Sequence, residues 1–304
     1  MNVAIGVVAF GAGVWLLVES VEGLLRTVRA WATAAGLSGV VLSALVLGFD
    51  VESTAAGVAA TLDDLPGTAL GTSIGAGIFL VTIGLGAAAL LAPFRVTVPR
   101  WLLVAPALAA VLCVVLLLDG RLSRVDGAVL VAAFPLLVIP IFRSRTEVPS
   151  AALDDEPPTR PWLRVAAGVL GLTVGAELLV FGTGRIVDEV GISETVFGLL
   201  VVAAAVSFEE LVLEMLPAYR GYAELAVGNA LGTLIFLLTL SLGVIALVRP
   251  IDVPAQVRDV HAPALLLAVG VVLAMLARGR LGRAEGGLLV GLYAVYATLA
   301  IVAG

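Results

Sequence analysis

Long apolar runs separated by short polar connections make up most of this sequence. Most of the runs have about 17 to 25 residues, the length range of a membrane-spanning helix, and are rich in Leu, Val, Ala and Gly. Strands of a membrane barrel would instead show alternating segments of about ten residues. The pattern therefore predicts an all-α integral membrane protein with about ten transmembrane helices, over residues 3–25, 36–61, 67–92, 100–118, 127–142, 162–185, 192–218, 224–248, 262–277 and 285–303.

The composition supports a membrane protein. Of the 304 residues, 61% are hydrophobic and 13% are charged, and the mean hydropathy of +1.15 lies well above that of a soluble domain. The first run carries Glu19 and Glu22 and lacks a small-residue cleavage site, so we predict a retained helix rather than a signal peptide. The lone Cys113 lies in an apolar run, so the sequence offers no disulfide or metal-thiolate framework.

One long polar stretch interrupts the apolar pattern near the middle of the chain. This stretch, residues 143–161, has the sequence RSRTEVPSAALDDEPPTRP, and its Pro residues and mixed charges are typical of a solvated linker. It divides the chain into two halves of five predicted helices. We therefore expect a first repeat at 1–142, a linker at 143–161 and a second repeat at 162–304.

The two halves repeat in sequence. A shift of 157 residues lays 71–86 over 228–243, and eight of the 16 aligned pairs are identical. The same shift pairs Glu52 with Glu209. Because each half has five helices, the second copy must enter the membrane from the opposite side. Inverted repeats of this kind bind their substrate near the bilayer midplane, where interrupted helices expose backbone carbonyls and helix ends.

The arginines predict an orientation. All 17 cationic residues are Arg, and twelve of them fall on the side of the first connection while five fall on the opposite side. The excess of cations marks the cytoplasmic side. We therefore expect a multi-pass protein of the cell membrane with both termini outside and the linker in the cytoplasm.

Four carboxylates lie inside apolar segments. Asp50 and Glu52 belong to the stretch GFDVES, and Glu209 and Glu210 to the stretch AVSFEE. An ionised side chain at mid-bilayer depth costs about 2.5 to 3.5 kcal/mol on insertion scales, so such residues usually face a polar cavity or one another. Four of them predict a path for cations. Glu214, one helical turn beyond Glu210, either extends this path or snorkels toward the interface, and the path is the favoured interpretation.

A glycine motif follows each carboxylate segment at equal spacing. Residues 205–210 (AVSFEE) precede 228–234 (GNALGTL), and residues 48–53 (GFDVES) precede 71–77 (GTSIGAG), so that Gly228 follows Glu210 at the same interval as Gly71 follows Ser53. These segments resemble the two alpha repeats of the calcium/cation antiporter superfamily, best known from sodium/calcium exchangers. The resemblance implies an alternating-access antiporter that moves Ca²⁺ one way and Na⁺ or H⁺ the other way at an overlapping site.

The resemblance also implies which residues hold the ions. Ca²⁺ takes about six to eight oxygen ligands, and carboxylates, hydroxyls and carbonyls supply them. The two motifs offer no soft ligand that would favour copper or zinc. The predicted metal ligands are Asp50, Glu52, Ser53, Thr72, Ser73, Ser207, Glu209, Glu210 and Asn229.

The repeats depart from the family pattern at three places. Ser53 stands at the position of the family Glu, while Asp50 stands at that of the family Ser, one helical turn earlier. We expect Asp50 and Ser53 to share one helix face, as we expect of Ser207 and Glu210. Glu52 and Glu209 replace the family Pro, which restores the backbone amide that Pro lacks and predicts less interruption of the helix. Gly77 and Leu234 replace the family Asn or Asp.

Several alternatives stay open. The chain could be a proton-coupled antiporter of monovalent cations (Na⁺/H⁺), or a degenerate homologue that does not transport and acts as a sensor or assembly partner. An enzyme is not predicted, because one His without a metal-binding motif provides no catalytic set. No organic cofactor is predicted, and Ca²⁺ with Na⁺ or H⁺ are the expected cargo. The expected partners are the lipid bilayer and inorganic cations, without nucleic acid.

Overall fold

A computed structural model describes residues 2–35, 38–143, 160–190 and 203–303. Nearly all of the described chain is helical, with three π-helical turns and four short strands. We call the π-helical segments Leu80–Gly84, Leu237–Ser241 and Val257–His261 the first, second and third π turn. The helices are α1 (Asn2–Ala35), α2 (Gly39–Val46), α3 (Val51–Leu62), α4 (Pro66–Phe79), α5 (Leu85–Leu91), α6 (Arg100–Leu117), α7 (Arg124–Arg143), α8 (Pro161–Val190), α9 (Ala203–Tyr219), α10 (Ala223–Phe236), α11 (Leu242–Val248), α12 (Ala262–Ala277) and α13 (Arg283–Ala303).

The helices confirm the predicted membrane architecture. Within the described ranges, nine helical stretches are long and apolar enough to cross a membrane, and α9 covers most of the remaining predicted span. The first and sixth helices are longer than predicted, since α1 ends at Ala35 and α8 at Val190. Residues 144–159 of the predicted linker lie outside the described part of the chain. The protein is an all-α integral membrane protein with about ten transmembrane helices in two inverted five-helix repeats.

The second predicted helix is broken, contrary to the expectation of a continuous helix over 36–61. Helix α2 ends at Val46, and α3 begins only at Val51. Glu52 does restore the amide that Pro would remove, but the break falls earlier, at residues 47–50. Asp50 is therefore the N-cap of α3, and its side chain reaches the backbone amide of Ser53 in the first turn. The physical reason for the break is a tertiary contact, because residue 48 lies against the backbone of α10.

The first and second π turns lie at equivalent places in the two repeats. Leu80–Gly84 joins α4 to α5, and Leu237–Ser241 joins α10 to α11, at the same offset that relates the two halves in sequence. In each turn a threonine hydroxyl, of Thr82 or Thr239, donates to the carbonyl four residues earlier. Such bonds compete with the regular helix ladder, and π turns of this kind occur often at functional sites. Both spans therefore carry a local widening at the same depth.

Four two-residue strands join the halves to each other. Strand β1 (Phe94–Arg95) pairs antiparallel with β4 (Arg280–Leu281). Strand β2 (Arg121–Leu122) pairs antiparallel with β3 (Ile251–Asp252). Each pair thus takes one strand from each repeat. The first strand of each half, β1 or β3, pairs with the second strand of the other half, β4 or β2. This reciprocal pairing is what an approximate two-fold relation between the repeats produces.

Glycines bring helices of opposite repeats into close contact. A Cβ on Gly13 of α1 would lie 2.7 Å from the carbonyl oxygen of Gly175 of α8, and one on Gly175 would lie 2.9 Å from Cγ of Leu17. Small residues at such positions let membrane helices pack backbone to backbone. Helices α2 and α10 meet in the same way, and the Ser43 hydroxyl donates to the carbonyl of Leu225 with an O···O distance of 2.6 Å. This second contact joins α2 of the first half to α10 of the second.

Candidate cation-binding site

Asp50 lies at the break between α2 and α3. Its Oδ1 accepts a hydrogen bond from the backbone N–H of Ser53, with an N···O distance of 2.8 Å, and the Thr54 hydroxyl donates to its carbonyl oxygen at 3.1 Å. Its Oδ2 is buried and has no hydrogen-bond partner. One carboxylate oxygen therefore holds the start of α3, and the other is available to bind a cation.

The residues just before Asp50 fix the position of the break. A Cβ on Gly48 would lie 2.6 Å from the carbonyl oxygen of Ala44 and 2.7 Å from the carbonyl carbon of Gly232, so only glycine fits there. The ring of Phe49 packs against those of Phe134 and Phe236, with centroid distances of 5.7 and 5.2 Å. A backbone contact at Gly48 and an aromatic cluster at Phe49 thus fix the chain just before Asp50.

Glu209 and Glu210 approach this break from the second repeat. Both lie on α9 and are half-buried. Glu209 interacts electrostatically with Glu52 and Asp50, and Glu210 interacts with Asp50 and Glu209. Carboxylates of both repeats therefore lie close enough to interact electrostatically. Like charges in a poorly solvated place repel one another, and a cation bound among them relieves that repulsion.

Glu52 and Ser53 lie in the first turn of α3. Glu52 is exposed, and Ser53 is half-buried. The backbone amide of Ser53 is already occupied by the Asp50 carboxylate. The structure therefore places Glu52 at the accessible edge of the carboxylate group and Asp50 deeper within it.

The predicted hydroxyl and amide ligands are distributed unevenly. Thr72 donates its hydroxyl to the carbonyl of Ala69 at 2.8 Å, which leaves its oxygen lone pairs available. Ser73 is buried and faces Ser241 of the second π turn, with an Oγ···Oγ distance of 3.4 Å. Asn229 is buried, and its Oδ1 lacks a hydrogen-bond partner. Ser207 lies on α9, and its side chain falls outside the described part of the structure.

The carboxylates do not form a closed metal cage. Across the described ranges, no three side chains of His, Cys, Asp or Glu are grouped so as to hold a metal ion. Unpartnered buried oxygens are nevertheless present on Asp50, Asn229 and Glu214. A site that must release its cargo on both sides of a membrane has reason to combine few carboxylates with neutral oxygens.

Two residues that the ligand set omitted belong to the same region. Ser241 provides the only hydroxyl that bonds to Ser73 among the described contacts. Glu214 is fully buried, and both of its carboxyl oxygens lack partners. The helical spacing of Glu214 from Glu210 indicated its proximity to the path, whereas nothing in the sequence indicated the contact of Ser241.

The fold and this carboxylate site define a membrane transporter of the exchanger class. The chain belongs to the sodium/calcium exchanger protein family, whose match covers residues 5–142 and 160–302. Both repeats are included in this match. It confirms the resemblance found in the two glycine motifs.

Individual relatives are similar to the chain over most of their length. The chain is 32% identical over 233 residues to CaxA of Alkalimonas amylolytica, covering 71% of this chain and 72% of CaxA. It is 28% identical over 307 residues to the inner membrane protein YrbG of Escherichia coli (strain K12), covering 93% of each protein. It also resembles the solved sodium-calcium exchanger NCX_Mj with a TM-score of 0.84 at 24% identity, covering 96% of this chain and 98% of the other. This last likeness establishes the fold.

Proposed function

We propose that the protein is a secondary active antiporter that exchanges Ca²⁺, or a related cation, against Na⁺ or H⁺ by alternating access. The observation that carries the proposal is the electrostatic interaction of Asp50 with Glu209 and Glu210 across the two repeats. A site built from both inverted halves can open to either side as the halves rearrange. Family membership supports the same mechanism.

The residues divide into two roles in this proposal. Asp50 and Glu210 are the principal cation ligands, since Asp50 has an unpartnered buried oxygen and Glu210 interacts with it from the other repeat. Ser53, Thr72, Ser73, Ser207 and Asn229 complete the shell with neutral oxygens. Glu52 and Glu209 hold the competing Na⁺ or proton, and the exposure of Glu52 suits a residue that meets ions first.

The orientation and domain division complete the proposal. The halves at 1–142 and 162–304 act as the two inverted repeats, with the linker 143–161 in the cytoplasm and both termini outside. The excess of arginines on the linker side supports this orientation. The protein resides in the cell membrane, with inorganic cations as its cargo.

A second candidate is proton-coupled exchange of a monovalent cation. One oxygen of Asp50 is occupied by capping α3, and Gly77 and Leu234 offer no side-chain oxygen. Ca²⁺ prefers about six to eight oxygens, so a shell with fewer ligands also suits Na⁺. The cargo is therefore the first property to measure.

The test is uptake of radioactive Ca²⁺ or Na⁺ into proteoliposomes under an imposed Na⁺ gradient or pH gradient. We expect uptake that is lost in Asp50→Asn and Glu210→Gln. Matched controls are Asp252→Asn and Glu177→Gln, which make the same charge change at exposed positions outside the site. Ca²⁺ uptake driven by Na⁺ would support the first candidate, and Na⁺ uptake driven only by pH the second. Absence of uptake under every gradient would overturn both and favour a non-transporting homologue.

A further inference from the structure

Glu214 is a carboxyl group enclosed by protein on all sides. Its residue exposure is 0%, and neither Oε1 nor Oε2 has a hydrogen-bond partner. It lies on α9, four residues after Glu210, so both project from the same face of the helix. Nothing in the ligand set of the main site uses it.

The first π turn makes room for this carboxyl group. A Cβ added to Gly84, the last residue of that turn, would overlap Oε2 of Glu214 and lie 2.7 Å from its Cδ. The carboxyl of the second repeat therefore rests directly against the backbone of the first. Glycine at position 84 is a requirement of this contact.

Within the residues that the structure describes, the contact between a carboxyl group of one repeat and a glycine of the other occurs once and has no counterpart with the repeats exchanged. The shift that relates the repeats places Gly57 opposite Glu214 and Ser241 opposite Gly84. At Gly57 the space is taken by the side chain of Ile245, so no carboxyl could enter there. The first repeat thus has no equivalent of Glu214, and the pocket for the carboxyl is built from asymmetric residues.

No charged group in the described part of the chain balances Glu214. The elements packed against α9 are α1, α5, α8, α10 and the first π turn. Neither α5 nor the first π turn contains a charged residue. The other elements and α9 itself do carry charged residues with described side chains, but none of these bonds to Glu214. They are Glu19, Glu22, Arg26, Arg29, Arg164, Glu177, Arg185, Glu209, Glu210 and Glu224.

A carboxylate in such surroundings needs a cation bound to it. An ionised carboxyl without hydrogen bonds in a dry interior is unfavourable, and neutralisation removes most of that penalty. A proton is the cation that fits, because the backbone of Gly84 lies against Oε2 and leaves no space there for a coordinated metal ion. The geometry thus favours a carboxylic acid at this position.

We propose that Glu214 binds a proton and is a proton-carrying residue of the transport cycle. The inference rests on the proposed antiport function and extends it to a position outside the main site. When a cation binds at Glu210, its charge favours loss of the Glu214 proton, which leaves as a hydrated proton to the side on which the site is open. When the cation departs, Glu214 takes a proton up again, so one proton is exchanged at this group in each cycle.

The test combines a spectroscopic and a transport measurement on the purified full-length protein. Infrared difference spectra recorded across a pH series should show the carbonyl stretch of a protonated carboxyl, and Glu214→Gln should remove it. In proteoliposomes, Glu214→Gln should reduce uptake driven by a pH gradient by about 5- to 150-fold, the range of ordinary coupling energies between sites. Self-exchange of the same cation at equal concentrations and pH on both sides should persist, because it requires no net proton movement.

A second variant keeps the proposal testable if Glu214→Gln folds poorly. Gly84→Ala retains the carboxyl group of Glu214 but displaces it from its pocket, so this variant should also reduce pH-driven uptake and shift the infrared band. Gly270→Ala is the matched control, because a Cβ there meets no heavy atom within 4 Å.

The outcomes separate this inference from the proposed function. Unchanged pH-driven uptake in Glu214→Gln would overturn the inference, as would loss of self-exchange together with pH-driven uptake, which indicates a structural role. Exchange driven by Na⁺ but not by pH in the wild type would also overturn it while leaving the antiport function intact. Absence of exchange by the wild type under any gradient would overturn the function and, with it, the carrier role of Glu214.

Discussion

The hydroxyl groups of Ser73 and Ser241 face each other across the two repeats with their oxygens 3.4 Å apart. Both side chains are fully buried, and Ser241 lies within the second π turn. The contact joins a glycine motif of the first half to a widened helix of the second. Each hydroxyl therefore gives the other a hydrogen-bond partner in the buried interior.

Removing one of these hydroxyls should destabilise the protein. We expect Ser241→Ala to lower the free energy of unfolding by about 1 kcal/mol, because Ser73 loses its hydrogen-bond partner in a buried place. Thermal unfolding in detergent measures the change. Thr173→Ala is the control, since that hydroxyl is exposed and bonds only within its own helix. Equal destabilisation by the two variants would contradict a specific role for the contact between repeats.

Substitutions at Asp50 should separate helix capping from ion binding. Asn can still accept the hydrogen bond from the Ser53 amide, whereas Ala cannot. We expect Asp50→Ala to lower the free energy of unfolding by about 0.5–2 kcal/mol and Asp50→Asn to change it little. Both variants should lose cation uptake, because both lack the carboxylate. Thermal unfolding and uptake measured on the same preparations test the prediction, and full uptake by Asp50→Asn would refute it.

A methyl group at Gly48 should disturb the break between α2 and α3. The added Cβ would approach backbone atoms of Ala44 and Gly232, which cannot move aside as a flexible side chain can. We expect Gly48→Ala to destabilise the protein by about 1–3 kcal/mol and to reduce uptake, since Asp50 would be displaced. Gly67→Ala is the control because its Cβ would meet no heavy atom within 4 Å. Wild-type stability of Gly48→Ala would show that the contact is looser than described.

The ion pair between Glu22 of α1 and Arg220 beyond the end of α9 should contribute little to stability. Their side chains are 26% and 51% exposed, so water and salt screen the pair. We expect Glu22→Gln to lower the free energy of unfolding by about 0–1 kcal/mol, less so at high salt. The doubly reversed variant, Glu22→Arg with Arg220→Glu, should recover the lost free energy of unfolding. Thermal unfolding across a salt series measures these effects, and a large loss that salt does not alter would contradict a screened pair.

The apolar pattern predicted the architecture well because membrane helices are specified by length and hydropathy. The repeat aligned Glu52 with Glu209 in sequence, and these two carboxylates interact electrostatically in the structure. The break at residues 47–50 was not predicted, since it contains no Pro and depends on the approach of Gly48 to Gly232, which lies far away in sequence. Local composition cannot reveal such a contact.

The π turns and the burial of Glu214 were missed for related reasons. A π turn adds a residue within an apolar run and leaves the hydrophobic pattern unchanged. The sequence placed Glu214 one turn from Glu210, but the pocket at Gly84 exists only after the two repeats pack. The ligand roles of the nine predicted residues stay predictions until uptake by their variants is measured.

The turn between the second and third spans has an equivalent in the second half of the chain. Asp64 and Gly221 both have positive φ, 59° and 82°, and the offset between them equals that between the first two π turns. An insertion in either copy would have broken this register. The turn and the π turn that follows it therefore form one unit of constant length in both halves. The third π turn has no first-half counterpart among the described residues, and the offset between Gly120 and Gly279 is larger by two positions, so the two halves keep a common register through their first three spans and lose it beyond them.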